Sequence, residues 1–148
     1  MKKRKKRAMT LLEVMIVIFI IGIIGSVIGY NMRGSMDQGK AFKTKEGITK
    51  LYNIVHLEMG SNEIEKLDGS SSEAIGAEVK EVLKRSGLVN KPSQYLIDGW
   101  KDNLTFKVER LDKTFEIRAT SEKYEKFCEK KGKSFEYPWL EEEAADDS

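Results

Sequence analysis

Three hydrophobic periodicities follow one another along the chain. From Leu11 to Tyr30 it reads LLEVMIVIFIIGIIGSVIGY, twenty residues with a single charge. As a helix rising about 1.5 Å per residue, such a run spans roughly 30 Å, the thickness of a bilayer's hydrocarbon core. Next, Ile48, Leu51, Tyr52, Val55 and Met59 recur at helical spacing and place one apolar stripe on an amphipathic helix, with Lys40, Lys43, Lys45, Glu46 and Lys50 around it. Together the two stretches predict a single helix from about Thr10 to Met59, stopped by Gly60-Ser61-Asn62. Its second half needs a partner to cover the stripe.

Beyond a Gly69-Ser70-Ser71-Ser72 linker, Ser70-x-x-Glu73 reads as a capping box that opens a second helix. That helix buries Ile75, Val79, Val82 and Leu83 and stops at Gly87. From Leu104 the period becomes two: Leu104, Phe106 and Val108 alternate with polar residues, Leu111-Asp112-Lys113 turns the chain, and Phe115, Ile117 and Ala119 alternate again. This predicts a β-hairpin with one apolar face, covered by the long helix. Ahead of it, Asp98 and Gly99 suit a turn, and Trp100 is expected to fill the gap between sheet and helix. Ser121 to Lys131 predicts a short helix presenting Tyr124, Phe127 and Cys128 and ended by Gly132, followed by a brief strand through Phe135, Tyr137 and Trp139. The fold class expected is α+β, a long N-terminal helix packed on a small antiparallel sheet.

Charge divides the chain unevenly. The formal total is +2, from 26 Lys and Arg against 24 Asp and Glu, but six cations (Lys2, Lys3, Arg4, Lys5, Lys6 and Arg7) precede the apolar run. Without the first eight residues, 20 cations face 24 anions, a balance of −4. A basic cluster ahead of an apolar span holds the N-terminus in the cytoplasm and sends the remainder across. An acidic body argues against nucleic acid as a partner, since that requires cations spread over a folded face. The organisation expected is a basic leader (1–8), a membrane helix (9–30), an amphipathic helical half (31–60) and a globular head with an acidic tail (61–148).

Candidate chemistry is sparse. Cys128 is the only cysteine, so neither an intrachain disulfide nor a four-ligand zinc site can form. His56 is the only histidine, and the serines at 70–72 have no partner in a triad-like motif. No catalytic residue and no metal ligand set is predicted, and the expectation is that the chain is not an enzyme. Glu141, Glu142, Glu143, Asp146 and Asp147 offer the oxygen ligands that calcium prefers, but a terminal acidic run without turn glycines reads first as a solvated tail. Gly22, Gly25 and Gly29 either weaken the apolar helix or allow another helix to approach it. Glu13 is the residue that fits a plain anchor least, because a carboxylate in an apolar helix must reach the interface or find a cation.

The basic leader, Ala8, and then Met9-Thr10-Leu11-Leu12-Glu13-Val14-Met15-Ile16 in register resemble the class III signal of type IV pilins and type II secretion pseudopilins. The resemblance implies that a prepilin peptidase cuts between Ala8 and Met9, that Met9 is then N-methylated, and that Glu13, fifth after the cut, is the glutamate used in assembly. Ala8 stands where the family usually has glycine, and Tyr30 where many members have proline. Asp98, Gly99 and Trp100 are also similar to the turn before the sheet of major pseudopilins, the protein G type of the general secretion pathway; Asn103 matches one residue displaced.

What this resemblance implies is a structural subunit of a type II secretion pseudopilus. It would sit in the inner membrane as a single pass, N-terminus cytoplasmic and head periplasmic. Its partners would be membrane lipid, further copies of itself in a homopolymer, other pseudopilins, the prepilin peptidase and the inner-membrane secretion platform. Major pseudopilins typically carry a calcium loop near the C-terminal end, and no copy of it is legible here, so no cofactor is expected apart from the calcium that the acidic run leaves open. The alternatives are a type IV pilin or minor pilin, serving adhesion, motility or DNA uptake, and a plain single-pass membrane-anchored binding protein.

Overall fold

The computed structural model describes residues 9–141. They form two compact units, one reaching to Asp37 and one beginning at Gln38. A single helix, α1 (Leu11–Glu58), runs through both, as the two consecutive helical patterns predict.

In the first unit the apolar side chains of α1 are exposed along the helix. Leu11, Met15, Ile18, Phe19, Ile23 and Val27 are all exposed, and the stretch is long and apolar enough to cross a membrane. Within the apolar run the Ser26 hydroxyl donates to the Ile23 carbonyl at 2.8 Å, so its polarity is met by the helix itself.

The second unit is built on the later part of α1. Ile48, Leu51, Tyr52, Val55 and Met59 are buried as the stripe predicts, and Ala41, Thr44 and Ile54 join them. Fully burying an aliphatic side chain contributes roughly 1.5–3 kcal/mol. Leu51 and Val55, both wholly inaccessible, therefore anchor the unit. After Gly60 a short helix that the pattern did not predict, α2 (Ser61–Glu65), inserts Ile64 into the core.

Helix α3 (Ser72–Ser86) buries Ile75, Val79, Val82 and Leu83, and ends on Gly87 in the left-handed region at φ 66°. Its N-cap is Ser71, whose hydroxyl accepts from the Ala74 amide at 3.3 Å. The capping box expected at Ser70 is thus displaced by one residue, and Glu73 takes no part in it. In a run of three serines local preference is degenerate, and packing of the apolar face chooses which hydroxyl meets the first turn.

A 3₁₀ turn at Pro92–Tyr95 leads into the loop around Asp98, then β1 (Thr105–Arg110) and β2 (Phe115–Thr120) pair antiparallel. The register sets Phe106 opposite Ala119 and Val108 opposite Ile117, which gathers the apolar side chains on one face. Phe106 lies against Gly76 of α3, where a Cβ would stand 3.3 Å from its ring. Each outer edge of the hairpin receives a serine: the Phe106 amide donates to Ser72 Oγ at 2.9 Å and the Phe115 amide to Ser61 Oγ at 3.1 Å. The apolar face belongs to the same core cluster as the α1 stripe.

Helix α4 (Glu122–Lys131) is capped by Ser121 and closed by Gly132 at φ 63°, with Tyr124 and Cys128 buried. The strand expected through Phe135, Tyr137 and Trp139 does not form. Residues 133–137 are irregular, and Pro138 opens a helical turn over 138–141. Proline cannot donate to a strand ladder but suits the first position of a helix. Tyr137 and Trp139 are nonetheless buried, stacked with ring centroids 4.6 Å apart.

Candidate functional site

Two groups of residues carry the chemistry, one in each unit. At the start of α1, Thr10 and Glu13 bond reciprocally: the Glu13 amide donates to Thr10 Oγ1 at 3.3 Å, and the Thr10 amide donates to Glu13 Oε2 at 3.4 Å. This is a capping box, which satisfies two of the four amides that the first turn of a helix leaves without partners. The Thr10-x-x-Glu13 spacing is the signal that reveals it in the sequence. Glu13 thus has a task within its own chain as well as any between chains. Met9, immediately before the box, is largely exposed at 73%. Ala8, the other residue of the expected cut, lies outside the described residues.

Gly22, Gly25 and Gly29 meet nothing within their unit; a Cβ at any of them would have no neighbour within 4 Å. Gly22 instead lies in an open apolar groove with Leu12, Met15, Ile16, Phe19 and Ile23. Among the described residues these glycines leave their side of the helix open.

In the second unit the Asp98-Gly99-Trp100 turn is seated on α1. The Gly99 amide donates to Thr44 Oγ1 at 2.8 Å, and the Thr44 hydroxyl donates to the Lys40 carbonyl at 2.9 Å. Asp98 is buried at 2% exposure, and its carboxylate is the centre of the loop. Oδ1 accepts from the Trp100 amide at 2.8 Å and the Asp102 amide at 2.9 Å, while Oδ2 accepts from the Ser121 hydroxyl at 2.8 Å. Ser121 Oγ in turn accepts from the Tyr124 amide at 3.2 Å, so one carboxylate ties the turn to the start of α4. Lys101 takes the left-handed conformation at φ 70° to close it.

Trp100 packs against the edge of the core. It is half-buried with its ring 6.1 Å from that of Phe127 on α4. The roles of Thr44 and Ser121 escaped the sequence reading because their partners, Gly99 and Asp98, are distant in sequence.

A second buried carboxylate had no sequence signal at all. Glu116 accepts from the Tyr52 hydroxyl at 2.8 Å and pairs with Arg118, whose guanidinium lies 5.7 Å from the Trp139 ring. Elsewhere in the core, burial pushes the pKa of the Tyr124 phenol up to about 12 and also raises that of Tyr137. His56 binds the Tyr52 carbonyl through Nδ1 at 2.9 Å, and Cys128 is buried. Among the described residues no three His, Cys, Asp or Glu side chains converge as a metal site would require, and only Glu141 of the terminal acidic run lies within them.

Residues 3–29 match the family model of the prokaryotic N-terminal methylation motif. Over 125 residues the chain is 34% identical to a protein of Chlamydia trachomatis called a putative outer membrane protein, covering 83% of this chain and 94% of that one. A Chlamydia pneumoniae protein of the same description is 33% identical over 103 residues, 70% of this chain and 79% of its own length. The type II secretion system core protein G of Aeromonas hydrophila is 37% identical over 57 residues, 38% of this chain and 40% of that protein. No solved structure matches.

Proposed function

The chain belongs to the family of these chlamydial proteins, as a pilin-like protein of the pseudopilin type with a prokaryotic N-terminal methylation motif, and from that premise we propose that it is a non-enzymatic structural subunit of a type II secretion pseudopilus. The prepilin peptidase cuts between Ala8 and Met9, and Met9 is N-methylated. The processed subunit waits in the inner membrane with its head in the periplasm, then enters a filament of its own copies and other pseudopilins, assembled on the inner-membrane secretion platform.

The observation that carries this reading is the register at the start of α1, where Met9 stands four residues before Glu13 at the head of an apolar helix whose side chains are exposed. In a filament that helix exchanges lipid for neighbouring helices, with Gly22, Gly25 and Gly29 admitting them closely. Glu13 then leaves water, and a buried carboxylate persists only with a cation beside it. The freed Met9 amine of an adjacent subunit supplies one. No cofactor enters this scheme, which needs packing and charge pairing alone.

Intact mass of the protein purified from cells with an active prepilin peptidase tests the reading. The expected species lacks Met1 to Ala8 and carries one methyl group on Met9. An uncut chain from such cells rules the scheme out and leaves a plain anchor.

A further inference from the structure

The hairpin of the second unit has one covered edge and one open edge. Along β2, Ile117 and Ala119 are buried and α2 packs against the strand. On the other side, the Phe106 amide points away from β2, and alternation along an antiparallel ladder gives Leu104, Val108 and Arg110 the same outward direction. The chain itself occupies the first two of these four positions. The Leu104 amide donates to the Leu96 carbonyl at 2.9 Å, and the Phe106 amide to Ser72 Oγ. At Val108 and Arg110 no hydrogen bond from the described residues reaches the outward amides and carbonyls. Unpaired backbone groups on an edge strand are a template for another strand.

The charges beside this edge are mismatched within the hairpin. Lys107 stands opposite Arg118, and Glu109 opposite Glu116. Like charges directly across a ladder are destabilising. Arg118 and Glu116 pair with each other, whereas Lys107 and Glu109, both exposed, make no ion pair among the described residues. We propose that the open edge of β1 pairs antiparallel with β1 of a second copy of this chain, centred on Val108. In that register the two Val108 residues exchange N–H···O bonds, and Lys107 of each copy lies opposite Glu109 of the other. Each mismatched charge thereby gains a partner of opposite sign. Shifting the register by two residues would pair Val108 with Arg110 and set Glu109 against its own counterpart, so charge selects the first arrangement. Ser72, already bonded at Phe106, keeps the ladder short. The same patch meets itself about a two-fold axis, so the contact closes on two copies and does not repeat along a filament. It stands independently of the secretory reading.

The test uses the full chain in detergent micelles, prepared as an equal mixture of light and heavy isotope-labelled protein and treated with a zero-length carbodiimide. Links between Lys107 and Glu109 that join light to heavy chains are expected. Lys123 and Asp102, 2.8 Å apart in one chain, should link within one label and serve as the internal standard. Sedimentation equilibrium in density-matched detergent then compares variants. Lys107→Glu places a carboxylate opposite Arg118 in its own hairpin, so the fold is not weakened, but it opposes Glu109 of the second copy at both ends of the contact. Pairing should weaken by roughly tenfold. The double variant Lys107→Glu with Glu109→Lys restores opposite charges between copies and should recover it. Lys107–Glu109 links confined to one label overturn the proposal. So does a double variant that pairs no better than Lys107→Glu alone.

Discussion

Gly99 lies so close to α1 that a Cβ built on it would fall 2.2 Å from the carbonyl oxygen of Lys40. The contact is backbone against backbone, so no side chain can rotate away to relieve it. The absence of a Cβ lets the Gly99 amide reach Thr44, and through it the whole Asp98 turn is held on the helix.

Gly99→Ala should therefore unseat the turn. Overpacking typically costs about 1–3 kcal/mol, and a rigid neighbour places this site at the upper end of that range. Each kcal/mol lowers the melting temperature of a domain near 100 residues by roughly 4–8 °C. Gly47→Ala is the control with the opposite sign. A Cβ at Gly47 meets nothing within 4 Å, and alanine is favoured over glycine inside a helix by up to about 1 kcal/mol. Thermal melts followed by tryptophan fluorescence should move down for the first variant and slightly up for the second.

Asp98 offers a finer comparison. Asp98→Ala leaves the part-buried Trp100 and Asp102 amides and the buried Ser121 hydroxyl without their acceptor, and a fully buried orphan such as the hydroxyl costs about 1–3 kcal/mol. Asp98→Asn keeps an oxygen for the two amides and turns its NH₂ toward Ser121 Oγ, which can accept. Denaturant titration should find the alanine variant much the weaker of the two. Equal losses would mean that the negative charge matters more than the hydrogen-bond count.

Glu13 has two tasks that substitution can separate. Glutamine serves a capping box as well as glutamate does, so Glu13→Gln should leave amide exchange at Thr10 and Glu13 nearly unchanged. It carries no charge, and filament formation should fall sharply. Glu13→Ala should lose both. If the glutamine variant assembles and supports secretion normally, charge pairing at this residue is excluded.

Tyr124 and Tyr137 make the head sensitive to alkali. Burial raises both phenols in the folded state, Tyr124 from 10.0 to about 12, because the charged phenolate is disfavoured there. A group whose pKa is higher in the folded state contributes its full stability below the unfolded value and loses it as pH rises. Stability of the second unit should hold up to pH 10.0 and decline toward about 12. In an ultraviolet titration of the folded protein these two tyrosines should ionise only above the ordinary tyrosine value of 10.0. Tyr137→Phe should weaken the decline while losing the bond to Glu125, made at 3.0 Å.

Much of this architecture was legible in residue order because its causes are local. Apolar spacing at Ile48, Leu51, Tyr52 and Val55 announces α1, alternation at Phe106 and Val108 announces β1, and Gly87 and Gly132 mark where helices end. These patterns report what a residue's neighbours within one or two turns will do. Where local preference is degenerate or silent, the reading slipped. Three consecutive serines left the cap of α3 one residue out, and aromatic alternation at Phe135, Tyr137 and Trp139 suggested a strand that Pro138 diverts into a helical turn.

The sequence by itself determined the apolar helix, the Met9-to-Glu13 register at its head and the helix, hairpin and helix that follow, since each is written in spacing and capping along a continuous stretch. Tertiary structure alone decided that Asp98 would be buried against Ser121, that Glu116 would bond Tyr52, and that Gly99 would meet the carbonyl of Lys40. Those pairs lie far apart in the chain, and no periodicity encodes them. A buried carboxylate declares itself only once the donors that surround it have been brought together by the packing of the rest of the core.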